Sequence, residues 1–325
     1  MSPSISTENQ PKVCSSVRML RFIRPKPRGE TRSSSAEATS VINVARAVAV
    51  IDPLQHIAPD WIALCLRSPL SQHLQGSRAN TTVQTTINLK DLRALPIPLP
   101  PERERCTIAE FVGALDDRIT LLRETNATLE AVTQALFKSW FVDFDPVHAK
   151  QQGRAPEGMD EATAALFPDS FEESALGLVP RGWRVGMLGE LARIHKGTTN
   201  PLSQPDVVFE HYSLPAFDSG QMPVLDRGSE IKSNKSPVPN KAVLLSKLNP
   251  HIPRVWLPSD SGKNAVCSTE FLVFTPTNGA SREFVFCQFS TAQFQQALCQ
   301  LVTGTSNSHQ RVKADGVLAM SAVIP

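Results

Sequence analysis

Pro205-Asp206 followed by Glu230-Ile231-Lys232 has the loose PD…ExK form of a metal-dependent nuclease centre. In that chemistry Asp206 and Glu230 would hold Mg2+, and Lys232 would stabilise the charged phosphate or the attacking water. The pattern is short and recurs by chance. Here both ends lie in proline-rich, loop-like sequence rather than on paired strands. A second group suits recognition rather than catalysis: Lys196, Thr198, Asn200, Asn234, Lys235, Lys247, Asn249, His251 and Arg254, all in polar loops. Such side chains bond phosphates and base edges, and arginine on guanine or asparagine on adenine carries sequence information. The bland alternative for each is a solvated loop charge or a turn residue.

The sequence lacks the signatures of other chemistry. There is no GxxxxGK[ST] phosphate loop, no glycine-rich cofactor turn and no Asn/Asp-Pro-Pro-aromatic run of a methyltransferase. ATP use and methyl transfer by this chain are therefore not expected. His56, His73, His148, His195, His211, His251 and His309 form no i, i+4 metal pair and read as surface or loop histidines. No metal or other cofactor is expected. Trp140, Phe141 and Phe144 could form a base-stacking platform, but at helical spacing they read as packing residues.

The elements that would position these residues centre on Pro101–Pro146, a long helical pattern interrupted only by Gly113. Ile108, Val112, Leu115, Ile119, Leu122, Asn126, Leu129, Thr133, Leu136 and Trp140 recur in alternating steps of four and three. That is a heptad with its a and d positions filled, so the helix calls for a coiled-coil partner. Asn126 reads either as a stability cost or as a register-setting polar residue. Pro100 and Pro101 fit a first turn, Glu102 and Glu104 suit the positive end of the helix dipole, and Pro146 marks the far boundary. At 1.5 Å per residue the helix is on the order of 50–60 Å long.

With 325 residues the chain has room for about two domains and a connector. Its net charge is +2, distributed as +6 over 1–100, −8 over 101–180 and +4 over 181–325. Basic segments flanking an acidic rod are compatible with nucleic acid but too modest to establish it. Cys14, Cys65, Cys106, Cys267, Cys287 and Cys299 form no CxxC pair and read as reduced thiols of a cytoplasmic protein. The polar start does not read as a secretory signal. Val41–Ile51, broken by Asn43 and Arg46, is too short to span a bilayer, so no membrane role is expected.

Residues 1–45 read as a disordered or atypical arm, 46–100 as the remnant of a first module, 101–146 as the long helix, 147–180 as a linker and 181–325 as a second module. A strand is expected at Val48–Asp52, helices at Pro59–Leu74 and Phe284–Leu301, and strands at Val243–Leu245, Arg254–Trp256 and Phe271–Phe274. Trp61–Pro100 and Phe284–Pro325 run in the same order: helix, glycine-started polar loop, short element, apolar-proline exit. This implies two copies of one module.

Leu95-Pro96-Ile97-Pro98-Leu99-Pro100-Pro101, Leu115-Asp116-Asp117-Arg118-Ile119, Leu129-Glu130 and Leu136-Phe137-Lys138-Ser139-Trp140-Phe141-Val142-Asp143-Phe144 resemble the specificity subunit of type I restriction–modification systems. Trp183 with Leu188-Gly189-Glu190, and Gly304 through Val312, look like the start and end of a target-recognition domain in that family. The resemblance covers about residues 48–325. It implies an α+β fold, with mixed α/β target-recognition domains joined by a long coiled-coil-forming helix. It implies two domains that each read half of a split site on double-stranded DNA, methyltransferase subunits docked on the helices between them, and a restriction subunit joining the complex. The subunit itself would perform no chemistry. A spacing of 50–60 Å exceeds one DNA turn of about 34–36 Å, which suits two half-sites with an unread spacer. Against the family pattern, the front of the first domain is expected to be missing or replaced by 1–45 and the second long helix to be absent. The seam would then need a second copy of this chain or a separate half-subunit. The rival readings are a Mg2+ nuclease, a helical scaffold with no DNA role, and an inactive fragment.

Overall fold

The computed structural model describes residues 51, 53–78, 87–302 and 310–325. It resolves into two compact units, 1–124 and 125–325, whose boundary falls inside one continuous helix. The expected arm 1–45, the loop residues 79–86 and most of the Gly304–Gln310 loop lie outside the described residues. So does the expected strand Val48–Asp52, apart from Ile51, which is not in a strand.

The first unit holds α1 (Pro59–Arg67), α2 (Pro69–Arg78), α3 (Leu89–Arg93) and the start of α4 (Glu102–Phe141). Where one helix is expected over Pro59–Leu74, two are found. The ring of Pro69 disfavours helical backbone at the residue before it, and Ser68 is extended, with φ −62° and ψ 149°. Ser68 exploits the break. Its hydroxyl and its N–H both donate to the Cys65 carbonyl, at 2.7 and 3.1 Å. Trp61 and Cys65 are the buried side chains of α1. The Trp61 indole N–H donates to the Pro98 carbonyl at 2.9 Å, tying α1 to the proline-rich run that leads into α4.

The helix α4 is 40 residues long, about 60 Å at the standard rise. Glu102 and Glu104 occupy its first turn, and Phe137 is its one buried side chain. The helix stops at Phe141, short of the expected Pro146. Phe144 turns into the left-handed region at φ 57°, and a new helix, α5 (Asp145–Gln151), starts with Pro146 in its first turn. Lys138 pairs with Asp143, and the Ser139 hydroxyl donates to Asp145 at 2.7 Å, closing the corner.

The second unit contains the end of α4, α5, and α6 (Glu161–Ala165), capped by Asp160, which accepts from the Thr163 N–H at 2.7 Å. These pack through Val147, Phe167 and Trp183, with Trp140, Phe141 and Phe144 partly buried against them. Phe141 stacks on Trp183 at 5.9 Å and meets Phe284 edge-on at 5.2 Å. The remaining chain is β1 (Phe171–Ser174), β2 (Gly177–Pro180), β3 (Arg184–Met187), α7 (Leu188–Leu191), β4 (Ala192–Ile194), β5 (Val208–Tyr212), α8 (Leu214–Asp218), β6 (Val224–Arg227), β7 (Ser236–Pro237), β8 (Val243–Ser246), β9 (Val255–Trp256), β10 (Ala265–Cys267), β11 (Phe271–Pro276), α9 (Arg282–Ser290), α10 (Ala292–Gln300), α11 (Ala314–Leu318) and β12 (Ser321–Ile324).

Two four-stranded sheets carry this unit, ordered β6-β5-β10-β7 and β4-β11-β8-β9, with β1-β2 and β12-β3 as separate pairs. The strand β8 is buried on both faces. Val243 and Leu245 enter one core with Phe274, Phe289 and Leu298, while Leu244 enters another with Tyr212, Trp256 and Val273. The two-residue alternation of a strand sends neighbours to opposite sides. The expected helix Phe284–Leu301 is again two helices. Thr291 is extended, with φ −67° and ψ 146°, and caps α10 by accepting from the Phe294 N–H at 3.2 Å.

That break matches the one at Ser68 bond for bond. Thr291 donates from its hydroxyl and its N–H to the Gln288 carbonyl, as Ser68 does to Cys65. Gln295 reaches back to the Phe289 carbonyl at 2.7 Å, and Gln72 to the Leu66 carbonyl at 2.8 Å. In each case a five-residue helix follows, α3 before the proline-rich run Leu95–Pro101 and α11 before β12.

Gly228 and Gly113 make opposite predictions. A Cβ on Gly228 would lie 2.1 Å from the Gln204 carbonyl oxygen and 2.4 Å from that of Pro201, both backbone, whereas one on Gly113 meets nothing within 4 Å. Gly228→Ala is expected to destabilise the second unit by about 3 kcal/mol, and Gly113→Ala to stabilise by about 1 kcal/mol. Urea unfolding followed by circular dichroism measures both.

Candidate nucleic-acid interface

The nine recognition candidates fall into two groups, each stitched together by backbone hydrogen bonds. In the first, Thr199 and Lys235 exchange N–H to carbonyl bonds in both directions, at 2.8 and 2.9 Å. That bridge sets the loop carrying Lys196, Thr198 and Asn200 beside Asn234 and Lys235. Gly197 permits the close fit, since a Cβ there would fall 2.7 Å from the Pro237 ring. Lys196, Thr198, Asn200 and Asn234 are exposed. Lys235 is not: it is 9% exposed, and its ammonium donates to the Ser233 hydroxyl at 2.7 Å. Burial pushes the Lys235 amine below the ordinary lysine value.

In the second group, Lys247, Asn249 and His251 lie on the loop after β8. Lys247 donates its N–H to the Glu270 carbonyl at 2.9 Å and accepts from the Val312 N–H at 3.0 Å. Asn249 stands in the left-handed region at φ 51° and donates its N–H to the Gln310 carbonyl at 2.9 Å. His251 is exposed, while Lys247 and Asn249 are half-buried. Arg254 is committed to a partner within the fold. Its guanidinium grips Asp218 at 2.7 and 2.9 Å, and its side chain is 11% exposed. The fork of an arginine matches both oxygens of a carboxylate, so Arg254 fastens β9 to the end of α8.

Two features escape sequence reasoning. Arg311 gives two nitrogens to the Glu270 carboxylate, each at 3.0 Å, and this pairing holds the Glu270 carboxyl below its usual range. The partners are 41 residues apart, and only folding pairs them. His211 departs from the surface reading given to the histidines: its side chain is 15% exposed, and Nδ1 lies 2.8 Å from an Asp226 oxygen. It is joined to Asp226 by the register of β5 on β6, which no local motif announces.

The nuclease residues are not on paired strands. Asp206 lies between the turn Pro201–Ser203 and β5, and Glu230 and Lys232 between β6 and β7. The Glu230 carboxylate accepts from the Arg227 N–H at 2.9 Å, closing its own turn. Among the described residues, no group of three or more His, Cys, Asp or Glu is placed to hold a metal ion. Cys65, Cys106, Cys267, Cys287 and Cys299 are free thiols.

The heptad seam of α4 is a separate surface. Ile108, Leu115, Ile119, Leu122, Leu129 and Leu136 are between 41 and 59% exposed; Asn126 and Thr133 are exposed with them. Two members differ. Val112 is half-buried, lining an open cleft of about 490 Å3 with Leu64, Pro96 and Pro98. Trp140 turns inward, 5.9 Å edge-on to Phe167, so it packs within the fold. No helix among the described residues is long and apolar enough to cross a membrane.

Residues 41–131 match the family model of the type I restriction modification DNA specificity domain. The HindI specificity subunit of Haemophilus influenzae is 27% identical over 78% of this chain and 65% of its own length. The MjaIX specificity subunit of Methanocaldococcus jannaschii is 27% identical over 38% of this chain and 24% of its own. The chain thus spans just under two thirds of the first relative and about a quarter of the second. Among solved structures, the HsdS subunit of Thermoanaerobacter tengcongensis aligns at 17% identity and TM-score 0.33, over 83% of this chain and 59% of that one. The S subunit of M. genitalium aligns at 14% and 0.37, over 82% and 61%. The chain is thus similar, over residues 41–131 and along the stretches shared with these two relatives, to type I restriction–modification specificity subunits.

Proposed function

We propose that this chain is a sequence-specific DNA-recognition subunit of a type I restriction–modification complex, acting in the cytoplasm and performing no chemistry itself. The observation that carries the reading is the match of residues 41–131 to the DNA specificity domain. Two structural features support it: a long helix with an uncovered apolar seam, and the same capped helix break on either side of it. In this reading the second unit contacts double-stranded DNA through Lys196, Thr198, Asn200, Asn234, Lys247, Asn249 and His251. Lys235 and Arg254 serve the fold instead. The target is bipartite, and α4 sets the spacing of its halves.

The partners are proposed from the same match and from the uncovered seam. Methyltransferase subunits, and through them the restriction subunit, dock on the helical framework, and the α4 seam is covered by a second copy of this chain or by a half-subunit. An apolar stripe of this length left in water favours association.

Co-expression with the neighbouring methyltransferase, followed by mapping of methylated sites, tests the function directly; absence of any methylated motif would sink it. With the motif in hand, Lys196→Ala is expected to weaken binding evenly across sequences and to lower the slope of log affinity against log salt by about 1. Asn234→Ala is expected to relax preference at one base pair, by about 1–3 kcal/mol. Fluorescence anisotropy on target and scrambled duplexes at several salt concentrations reads both. For the helix, Leu115→Glu combined with Leu129→Glu is expected to weaken assembly at least about tenfold, by placing charge on a seam that wants apolar contact. Sedimentation velocity of the chain alone and with its methyltransferase measures that loss.

A further inference from the structure

The first sheet of the second unit carries a polar group on one face. On β5, His211 pairs with Val266 of β10, and Val266 pairs with Pro237 of β7. On β6, Asp226 pairs with Phe209. Strand alternation therefore puts His211, Asp226 and, two residues before Pro237, Lys235 on a common face, with the apolar cluster of Phe209, Ile231 and Val266. A carboxylate can only accept, so the 2.8 Å contact to Asp226 puts the imidazole proton on Nδ1. Nε2 is then an acceptor, and it is buried with no hydrogen-bond partner among the described residues. Lys235, donating to Ser233, is close enough to act electrostatically on both His211 and Asp226.

The charges balance only while His211 is neutral. One ammonium, Lys235, then faces one carboxylate, Asp226. The other groups around the pair add no charge: β10 contributes Val266 on this face and the neutral Cys267, whose thiol burial pushes up to about 12. Glu210 and Tyr212 of β5 lie on the opposite face, where the Glu210 carboxylate accepts from the Tyr212 hydroxyl at 2.5 Å and the Gly262 N–H at 2.8 Å. Protonating His211 would place a second cation in a group with a single anion.

We propose that Lys235 is a positioning residue: set by Ser233 beside the Asp226–His211 pair, it clamps the 195–200 loop through its two backbone bonds to Thr199, and protonation of His211 releases the clamp. Burial, and next the Lys235 charge, hold the imidazole below its ordinary value, against the Asp226 hydrogen bond that raises it. A depressed histidine leaves the clamp whole above the unfolded value of about 6.5 and loses it as pH falls from there through the folded value. The effect on DNA binding rests on the function proposed above; the clamp does not.

Hydrogen exchange at the Thr199 and Lys235 amides of the full chain tests it, comparing wild type with His211→Asn at one pH at a time so that intrinsic rates cancel. Asparagine keeps a donor near the Nδ1 position and cannot be protonated. At about pH 7.5 the two proteins should agree within about twofold, and at about pH 5.5 the wild-type amides should exchange faster, by up to about tenfold, the most that one pH unit below the unfolded value allows. Lys235→Met, which removes the cation, should diminish the acid response of wild type and leave the part that burial of the imidazole sets. Equal rates for wild type and His211→Asn at both pH values, or an undiminished acid response in Lys235→Met, would overturn the proposal. Anisotropy on a random-sequence duplex pool adds a second arm. If the amides respond as expected while affinity relative to His211→Asn does not, the clamp stands and the assignment of these loops to DNA contact falls.

Discussion

A helix of 40 residues that buries a single side chain depends on what fastens it. Isolated helices draw little stability from propensity alone, and most of it comes from packing an apolar face. In α4 the packing is concentrated where Phe137, Trp140 and Phe141 meet Phe167, Trp183 and Phe284. In the first unit the fastening is lighter: Arg105 donates to the Pro100 and His56 carbonyls, and Arg67 pairs with Asp116 at the surface. Between these anchors the leucines and isoleucines of the seam stay in water. A heptad of that kind satisfies itself only against another helix, and that need shapes the proposed assembly.

The paired helix breaks express one piece of backbone chemistry twice. A break leaves carbonyls and N–H groups of both helices without intrahelical partners. Ser68 and Thr291 supply a hydroxyl that donates to one and accepts from another, while Gln72 and Gln295 cover a further carbonyl. The chain enforces the first break with Pro69 but places Ala292 at the same point of the second. The hydroxyl cap, common to both, is therefore the shared determinant of the geometry.

In the second unit, cationic residues divide between surface and framework. Lys196 is exposed, whereas Lys235 and Arg254 are spent on Ser233 and Asp218. All three are basic residues beside loop-forming ones, and in sequence they look alike. Arginine and lysine buried in this way need partners close at hand: Lys235 finds Ser233 two residues away, whereas folding brings Asp218 to Arg254 across 36 residues. The fixed cations shape the loops that carry the exposed ones.

Much of the architecture was legible in the residues. The heptad from Ile108 to Leu136 follows from spacing alone, and the central strands at Val243 and Phe271 follow from short apolar runs, because local periodicity encodes which face will be buried. The repeated order was also visible, in that the described helices of the two stretches break and cap alike. Three things were decided only by tertiary structure. Trp140 left the seam for an aromatic cluster, Lys235 was bridged to Thr199 and Arg254 to Asp218 within the fold, and His211 met Asp226 across two strands. Each depends on a partner far along the chain, and side-chain type and spacing carry no record of which distant group will arrive alongside.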